Sequence, residues 1–77
     1  DKVKDLEAIL ADSGISPEEV CYIGDDVGDL EIMKLVGLPV SVIDAADEAR
    51  EAALYVTTRK GGRGAVRELI DMLLSYR

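Results

Sequence analysis

The sequence contains no histidine. Serine–histidine and cysteine–histidine catalysis are therefore excluded within it, and so are imidazole zinc sites. Its one cysteine, Cys21, can form neither an internal disulfide nor a thiolate zinc site. Cys21 lies in an apolar run and is expected to be a small buried hydrophobe, which fits a reducing, cytoplasmic setting. Any metal would have to be held by carboxylates, which selects hard cations such as Mg²⁺, Ca²⁺ or Mn²⁺. Positive charge is also scarce: 9 Lys and Arg stand against 16 Asp and Glu, a net charge of −7. That balance argues against nucleic-acid partners, which need a basic footprint, and against anionic membrane surfaces. No apolar run approaches the roughly 20 residues of a membrane span, and no secretory leader is expected at the amino end.

Phenylalanine and tryptophan are missing too, with three tyrosines as the only aromatics. The hydrophobic set is aliphatic, as in buried parallel strands covered by helices. The 77 residues make one small domain or part of a larger one. A chain of this size buries only about 60% of its unfolded surface, so its stability margin is thin.

Periodicity divides the chain into alternating elements. Val3, Leu6, Ile9 and Leu10 share one face of an opening helix that Gly14 stops. SPEE at 16–19 carries the signs of a capped turn: Ser16 as cap, Pro17 in the first position, Glu19 closing a capping box. VCYIG at 20–24 then forms a buried strand. A helix is expected over 28–36, ended by Gly37, with Leu30, Met33 and Leu35 or Val36 inward. LPVSVI at 38–43 is the next strand, DAADEAREAA at 44–53 a helix with alanines inward, and LYVTT at 54–58 a short third strand. KGGRG at 60–64 is a loop, and AVRELIDMLLSYR at 65–77 a last helix with Val66, Leu69, Ile70 and Leu73 in register. This alternation predicts an α/β fold with a three-layer, Rossmann-like parallel sheet of about three strands, flanked by helices and connected by right-handed crossovers.

The chemistry gathers in GDDVGD at 24–29. Ligands of open parallel sheets bind beyond the carboxyl ends of the strands, where this stretch falls. Gly24 allows the backbone to turn close to a ligand. Asp25 is the first residue to leave the sheet, and Asp29 lies near the start of the next helix. Three carboxylates this close raise one another's pKa unless a cation neutralises them. Mg²⁺ suits such a site, because it takes one or two protein carboxylates and keeps waters and phosphate oxygens as its other ligands. In the plainer alternative, Asp25 and Asp26 make a turn and Asp29 caps a helix or ties down backbone amides. An EF-hand is excluded by the missing later ligands, and a dinucleotide site by the absence of G-x-G-x-x-G.

The stretch EEVCYIGDDVGDLEIMKLVGLPVSVIDAADEAREAALYVTTRKGGRGAVRELIDMLL resembles the carboxyl-terminal half of haloacid dehalogenase (HAD) superfamily phosphatases. Within that superfamily it is most similar to the 3-deoxy-D-manno-octulosonate 8-phosphate phosphatases. The resemblance is carried by GDD with its later Asp, then VGLPV, then YVT, then GGRGAVRE, at these spacings. It implies a Mg²⁺-dependent phosphomonoesterase acting on a small-molecule sugar-acid phosphate on the way to lipopolysaccharide, and a homo-oligomer. It places Asp25 as the Mg²⁺ ligand and Asp29 as the second acidic position, with Asp26 between them as a further candidate for the metal. It places Lys2 as the lysine that neutralises phosphate and nucleophile, with Lys4 as the alternative if the register slips. It sets Arg63 near the active-site side of the sheet or at a subunit contact. The glycines of that loop could bind an anion or simply connect, and Arg67 and Glu68 are expected on an ordinary helix surface.

The same resemblance names what these residues lack. The family's nucleophile stands in a D-x-D motif, absent from the sequence, and the phosphate-binding Ser or Thr motif and small hairpin cap are not seen either. DAAD at 44–47 has the wrong spacing for D-x-D. Residues 1–77 are thus expected to form one partial domain, inactive alone. A rival possibility is a non-catalytic assembly module. A receiver-like phospho-acceptor is a third; it would need Asp44 as acceptor, whereas Asp44 is better placed to cap the helix that follows it.

Overall fold

The fold alternates strands and helices in the expected order in a computed structural model that describes residues 1–75. Helix α1, Lys2–Ser13, starts at Asp1, whose carboxylate accepts the Val3 N–H at 2.9 Å, and stops on Gly14 in a left-handed conformation. The SPEE segment makes a 3₁₀ turn, Pro17–Glu19, closed by the Glu19 carboxylate accepting from the Ser16 N–H and hydroxyl at 3.1 and 3.0 Å. Strand β1 is Cys21–Gly24. A second 3₁₀ turn, Val27–Asp29, leads into helix α2, Leu30–Leu35. Strand β2, Leu38–Ser41, helix α3, Asp47–Ala52, strand β3, Tyr55–Val56, and helix α4, Ala65–Leu74, complete the order.

The three strands form one parallel sheet in the order β1-β2-β3. Gly24 lies opposite Ser41, and Ser41 opposite Val56, so all three strands end on one rim. Helices α2 and α3 pack on the sheet and on each other, and α1 packs on α2. The core is aliphatic, as the composition predicts: Ile32, Met33 and Val36 from the α2 region, Val40 and Val42 from β2, Ala49 from α3, and Ala65 and Leu69 from α4.

Several elements are shorter than their hydrophobic patterns. The chain turns after β2, with the Ala45 N–H on the Val42 carbonyl, so α3 begins at Asp47 rather than at 44. Strand β3 is brief because its partner β2 carries Pro39, whose carbonyl accepts the Leu54 N–H but which has no N–H to return. Helix α4 turns Ala65, Leu69 and Met72 inward, so of the expected row only Leu69 is buried. Val66, Ile70 and Leu73 are 41–57% exposed. The expected end of that helix, at Tyr76 and Arg77, lies outside the described residues. Cys21 is exposed, contrary to expectation, because it opens a strand at the sheet's edge. Among the described residues no helix is long and apolar enough to cross a membrane.

The turn between α2 and β2 depends on Gly37. Its N–H donates to the Pro17 carbonyl at 3.0 Å, and a Cβ at this position would lie 1.9 Å from the Glu18 carbonyl oxygen. Both groups are backbone, so neither can swing aside. Gly37→Ala is expected to lower the denaturant midpoint by the equivalent of about 1–3 kcal/mol, the usual cost of overpacking. An unchanged midpoint in urea unfolding would contradict this packing.

Candidate functional site

Strand β1 leaves the sheet through Gly24, and the reason for glycine is steric. A Cβ there would stand 2.6 Å from the Met33 sulfur and 2.9 Å from the Asp29 Cβ, so only glycine lets α2 and its preceding turn fold back over the strand end. The buried Ser41 hydroxyl donates to the Gly24 carbonyl at 2.9 Å and ties the ends of β1 and β2 together. Asp26 then starts the 3₁₀ turn by accepting the Val27 N–H on Oδ1 at 2.7 Å.

Asp29 is the centre of the arrangement, and it is only 3% exposed. Its Oδ2 accepts the N–H groups of Asp25 and Asp26 at 3.0 and 3.2 Å. Its Oδ1 accepts the Lys2 ammonium and the Tyr22 hydroxyl, both at 2.7 Å. Burial alone would push this carboxyl upward. The bonds from Lys2, Tyr22 and the two amides outweigh burial and hold it well below the usual carboxylate range. The same contacts raise the Lys2 ammonium, chiefly through the hydrogen bond to Asp29, while burial and that bond together raise the Tyr22 phenol. Asp29 thus carries a fixed negative charge that is already shared among four donors.

Asp25 is held differently. Its N–H is on Asp29 Oδ2, and its carbonyl accepts the Ala46 N–H at 3.0 Å, so its main chain is fixed on both sides. Its carboxylate is exposed and accepts no hydrogen bond among the described residues. The three aspartates therefore do three jobs: Asp29 clamps, Asp26 caps, and Asp25 projects from the rim. Among the described residues no three acidic, histidine or cysteine side chains gather around one point. The expectation of a shared site for Asp25, Asp26 and Asp29 gives way here, because Asp29 spends its oxygens on two amides of its own turn and on Lys2 and Tyr22, and Asp26 caps the turn through the Val27 N–H. What fits Mg²⁺ is the donor chemistry of Asp25, an exposed hard oxygen donor carried on a fixed main chain. An ion that takes only one or two protein carboxylates needs no more than that from one strand end.

Of the two lysine candidates, Lys2 reaches the site and Lys4 does not. The Lys2 side chain is 59% exposed against 4% for Asp29, so the ammonium bridges the clamp to open rim. Arg63 lies exposed in the loop after β3, on the same rim, and makes no ion pair or hydrogen bond through its side chain among the described residues. The spacing between neighbouring strands puts β3 roughly 10 Å from β1, and among the described residues no hydrogen bond or ion pair joins Arg63 to Asp25 or Asp29.

Two participants escaped the sequence. Tyr22 counted there as part of an apolar strand, although a partly buried tyrosine hydroxyl needs a partner and Asp29 is the acceptor within reach. Glu68, expected on a helix surface, binds the segment after β3: it accepts from the Thr58 N–H, the Thr58 hydroxyl, the Arg59 N–H and the Tyr55 hydroxyl at 2.7–3.0 Å. The Thr58 amide foremost, opposed by burial and helped by the other donors, lowers its carboxyl to about 2. Asp44 does not cap α3; its Oδ1 accepts the Gly61 N–H at 2.9 Å. Arg67 does lie on the helix surface, paired with Asp71 at 3.1 Å.

Both clamping carboxyls titrate below their unfolded values. Each therefore stabilises the fold fully above its unfolded pKa, and that contribution is lost as pH falls through the folded one. For Glu68 the window runs from 4.5 down to about 2. The unfolding temperature is expected to fall steadily across that window. Glu68→Gln and Asp29→Asn should each lower it at neutral pH and flatten its acid dependence. Scanning calorimetry on the variants checks this, and an unaltered acid slope in both would refute it.

The model of the haloacid dehalogenase-like hydrolase family matches residues 1–70. The chain is 49% identical over 74 residues to the 3-deoxy-D-manno-octulosonate 8-phosphate phosphatase of Yersinia pestis, an alignment covering 96% of this chain and 40% of that protein. It is 50% identical over 66 residues to the enzyme of the same name from Escherichia coli K12, covering 86% and 35% of the two chains. The crystal structure of the Moraxella catarrhalis 3-deoxy-D-manno-octulosonate 8-phosphate phosphatase, in complex with a magnesium ion, a phosphate ion and KDO, superposes with a TM-score of 0.92 at 36% identity over 97% of this chain and 43% of that one. The chain thus spans about 40% of the length of the Yersinia relative. With a parallel sheet whose strand-end aspartates are sorted into clamp, cap and projecting carboxylate, and a family match running through nearly all of it, this chain belongs to the haloacid dehalogenase-like hydrolases.

Proposed function

We propose that the protein carrying this chain is a Mg²⁺-dependent phosphomonoesterase that hydrolyses 3-deoxy-D-manno-octulosonate 8-phosphate, and that the chain supplies the metal-side and lysine-side parts of its active site. The observation that carries this reading is Asp25, with its main chain pinned by Asp29 and Ala46 and its carboxylate exposed at the rim. The relatives of that name, at 49–50% identity, support the substrate. A sugar-acid phosphate and Mg²⁺ are the small-molecule partners of this reading, and a cytoplasmic location goes with it.

Asp25 is the residue that would hold the ion; Mg²⁺, when bound, supplies positive charge against the phosphoryl oxygens. Asp29 orients rather than ligates, since its four donors leave it no free role. Lys2 spends one of the three donors of its ammonium on Asp29 and keeps the others for a phosphoryl oxygen. Because Asp29 holds that ammonium in place, its charge costs little reorganisation when the negative charge of the transferring group spreads over its oxygens. Asp26 shapes the turn that aims Asp25, and Arg63 offers a cation to the substrate from the far side of the rim. The D-x-D pair of the family does not occur in these 77 residues, so the 77-residue chain by itself is proposed to be inactive.

Homo-oligomerisation belongs to the same proposal and draws support from the exposed row Val66, Ile70 and Leu73 on α4. It also feeds the rival reading, a non-catalytic assembly module, which predicts association without turnover. Hydrolysis of p-nitrophenyl phosphate with Mg²⁺ by the whole protein separates the two. Asp25→Asn and Lys2→Ala are each expected to reduce kcat/KM by about 100-fold or more, with Asp25→Asn leaving the unfolding temperature close to wild type. Full activity in Asp25→Asn, or no activity in a well-folded wild-type oligomer, would favour the module.

A further inference from the structure

The loop that follows β3 is held more firmly than its glycines suggest. It runs from Thr58 to Gly64 on the rim where the strands end. Glu68 reaches back from the first turn of α4 and grips its start: Oε1 accepts the Thr58 N–H, the Thr58 hydroxyl and the Arg59 N–H at 3.0, 3.0 and 2.8 Å, while Oε2 accepts the Thr58 N–H and the Tyr55 hydroxyl at 2.8 and 2.7 Å. Asp44, from the loop after β2, grips its middle through the Gly61 N–H. Within the loop the Thr57 hydroxyl donates to the Arg59 carbonyl at 2.6 Å and the Arg63 N–H to the Lys60 carbonyl at 2.9 Å.

The side chains this scaffold presents are Arg59, Lys60 and Arg63. They are three of the nine cations in a chain of net charge −7, all exposed, and none makes an ion pair among the described residues. Glu68 stands beside them, yet its carboxylate is occupied by neutral donors and does not take up a guanidinium. An acidic protein that clusters unpaired cations on one rigid stretch of its ligand-binding rim, and assigns two carboxylates to hold the backbone there, has prepared that stretch for an anion.

We propose that Glu68 is a positioning residue, with Asp44 as its second anchor: it locks the loop from Thr58 to Gly64 so that Arg59, Lys60 and Arg63 receive the carboxylate end of a doubly anionic substrate. This rests on the phosphomonoesterase reading for the identity of the substrate, but not for the lock itself. The lock should act on substrate capture and leave the chemical step alone, since among the described residues no hydrogen bond or ion pair joins the loop to Asp25 or Lys2.

The test compares wild type and Glu68→Gln in the whole protein. Glutamine keeps the size but turns an N–H₂ toward donors and can satisfy only part of the set. Hydrogen exchange of the peptide over 57–64 is expected to quicken by about tenfold or more, with the peptide over 25–33 unchanged. For 3-deoxy-D-manno-octulosonate 8-phosphate, KM should rise about tenfold at nearly constant kcat, whereas for p-nitrophenyl phosphate, which lacks the carboxylate, both constants should stay within about twofold. Thr58→Val removes a single hydroxyl donor and should give a smaller change in the same direction, which keeps the test decisive if Glu68→Gln folds poorly. Unchanged exchange over 57–64 in both variants overturns the lock. Faster exchange with equal KM changes for the two esters overturns the link to the carboxylate. Faster exchange in a wild-type background that hydrolyses neither ester overturns the phosphatase reading, and the substrate role with it, while leaving the lock standing.

Discussion

Asp29 accepts two backbone amides with one oxygen and a lysine and a tyrosine hydroxyl with the other, and the rest of the rim is arranged around that one carboxylate. It joins four parts of the chain: the start of α1 through Lys2, the middle of β1 through Tyr22, the strand exit at Asp25 and Asp26, and its own turn into α2. A buried charge is costly unless it is fully hydrogen-bonded. Here it is, and no buried side-chain polar atom among the described residues lacks a partner. The close packing of Gly24 against Asp29 and Met33 makes this possible, since any side chain at 24 would lift the clamp off the strand.

The clamp has a functional consequence because it separates neighbouring carboxylates that would otherwise compete. Asp29 takes the donors and Asp26 the cap, so Asp25 is left fixed in its backbone and open in its side chain. The exit from β3 follows the same logic with different residues: Glu68 gathers amides and hydroxyls, Asp44 secures the loop, and the cations remain unpaired. At both strand ends a carboxylate absorbs the unsatisfied backbone groups of a loop at the carboxyl-terminal rim of the sheet. Part of this chain's acidic excess is therefore structural scaffolding of a rim.

Much of this was legible in the sequence. The strand and helix order follows from periodicity and glycine punctuation, and GDD does fall at a strand exit. Lys2 over Lys4 was what the family resemblance implied. What the residues could not tell was how each carboxylate would be spent. Asp29 looked like a second metal ligand because its partners, the amides of Asp25 and Asp26, are invisible in a pattern of side chains. Tyr22 was hidden because a tyrosine in an apolar strand scores as hydrophobic until its hydroxyl is given somewhere to go. Glu68 and Asp44 were misplaced because their acceptor roles join segments separated by nine or more residues, a relation set by the parallel register rather than by local propensity. The shortened β3 likewise reflects the neighbour it meets, Pro39 on β2.

The direct measure of the central interaction is a carbon-13 titration of the side-chain carboxyl of Asp29. If this carboxylate is the hub, its midpoint lies below the ordinary aspartate value of 3.8 and moves upward when Lys2 is replaced by methionine. A midpoint at or above 3.8, indifferent to Lys2, would mean that the carboxylate is not shared as described and that Asp25 owes its placement to something else.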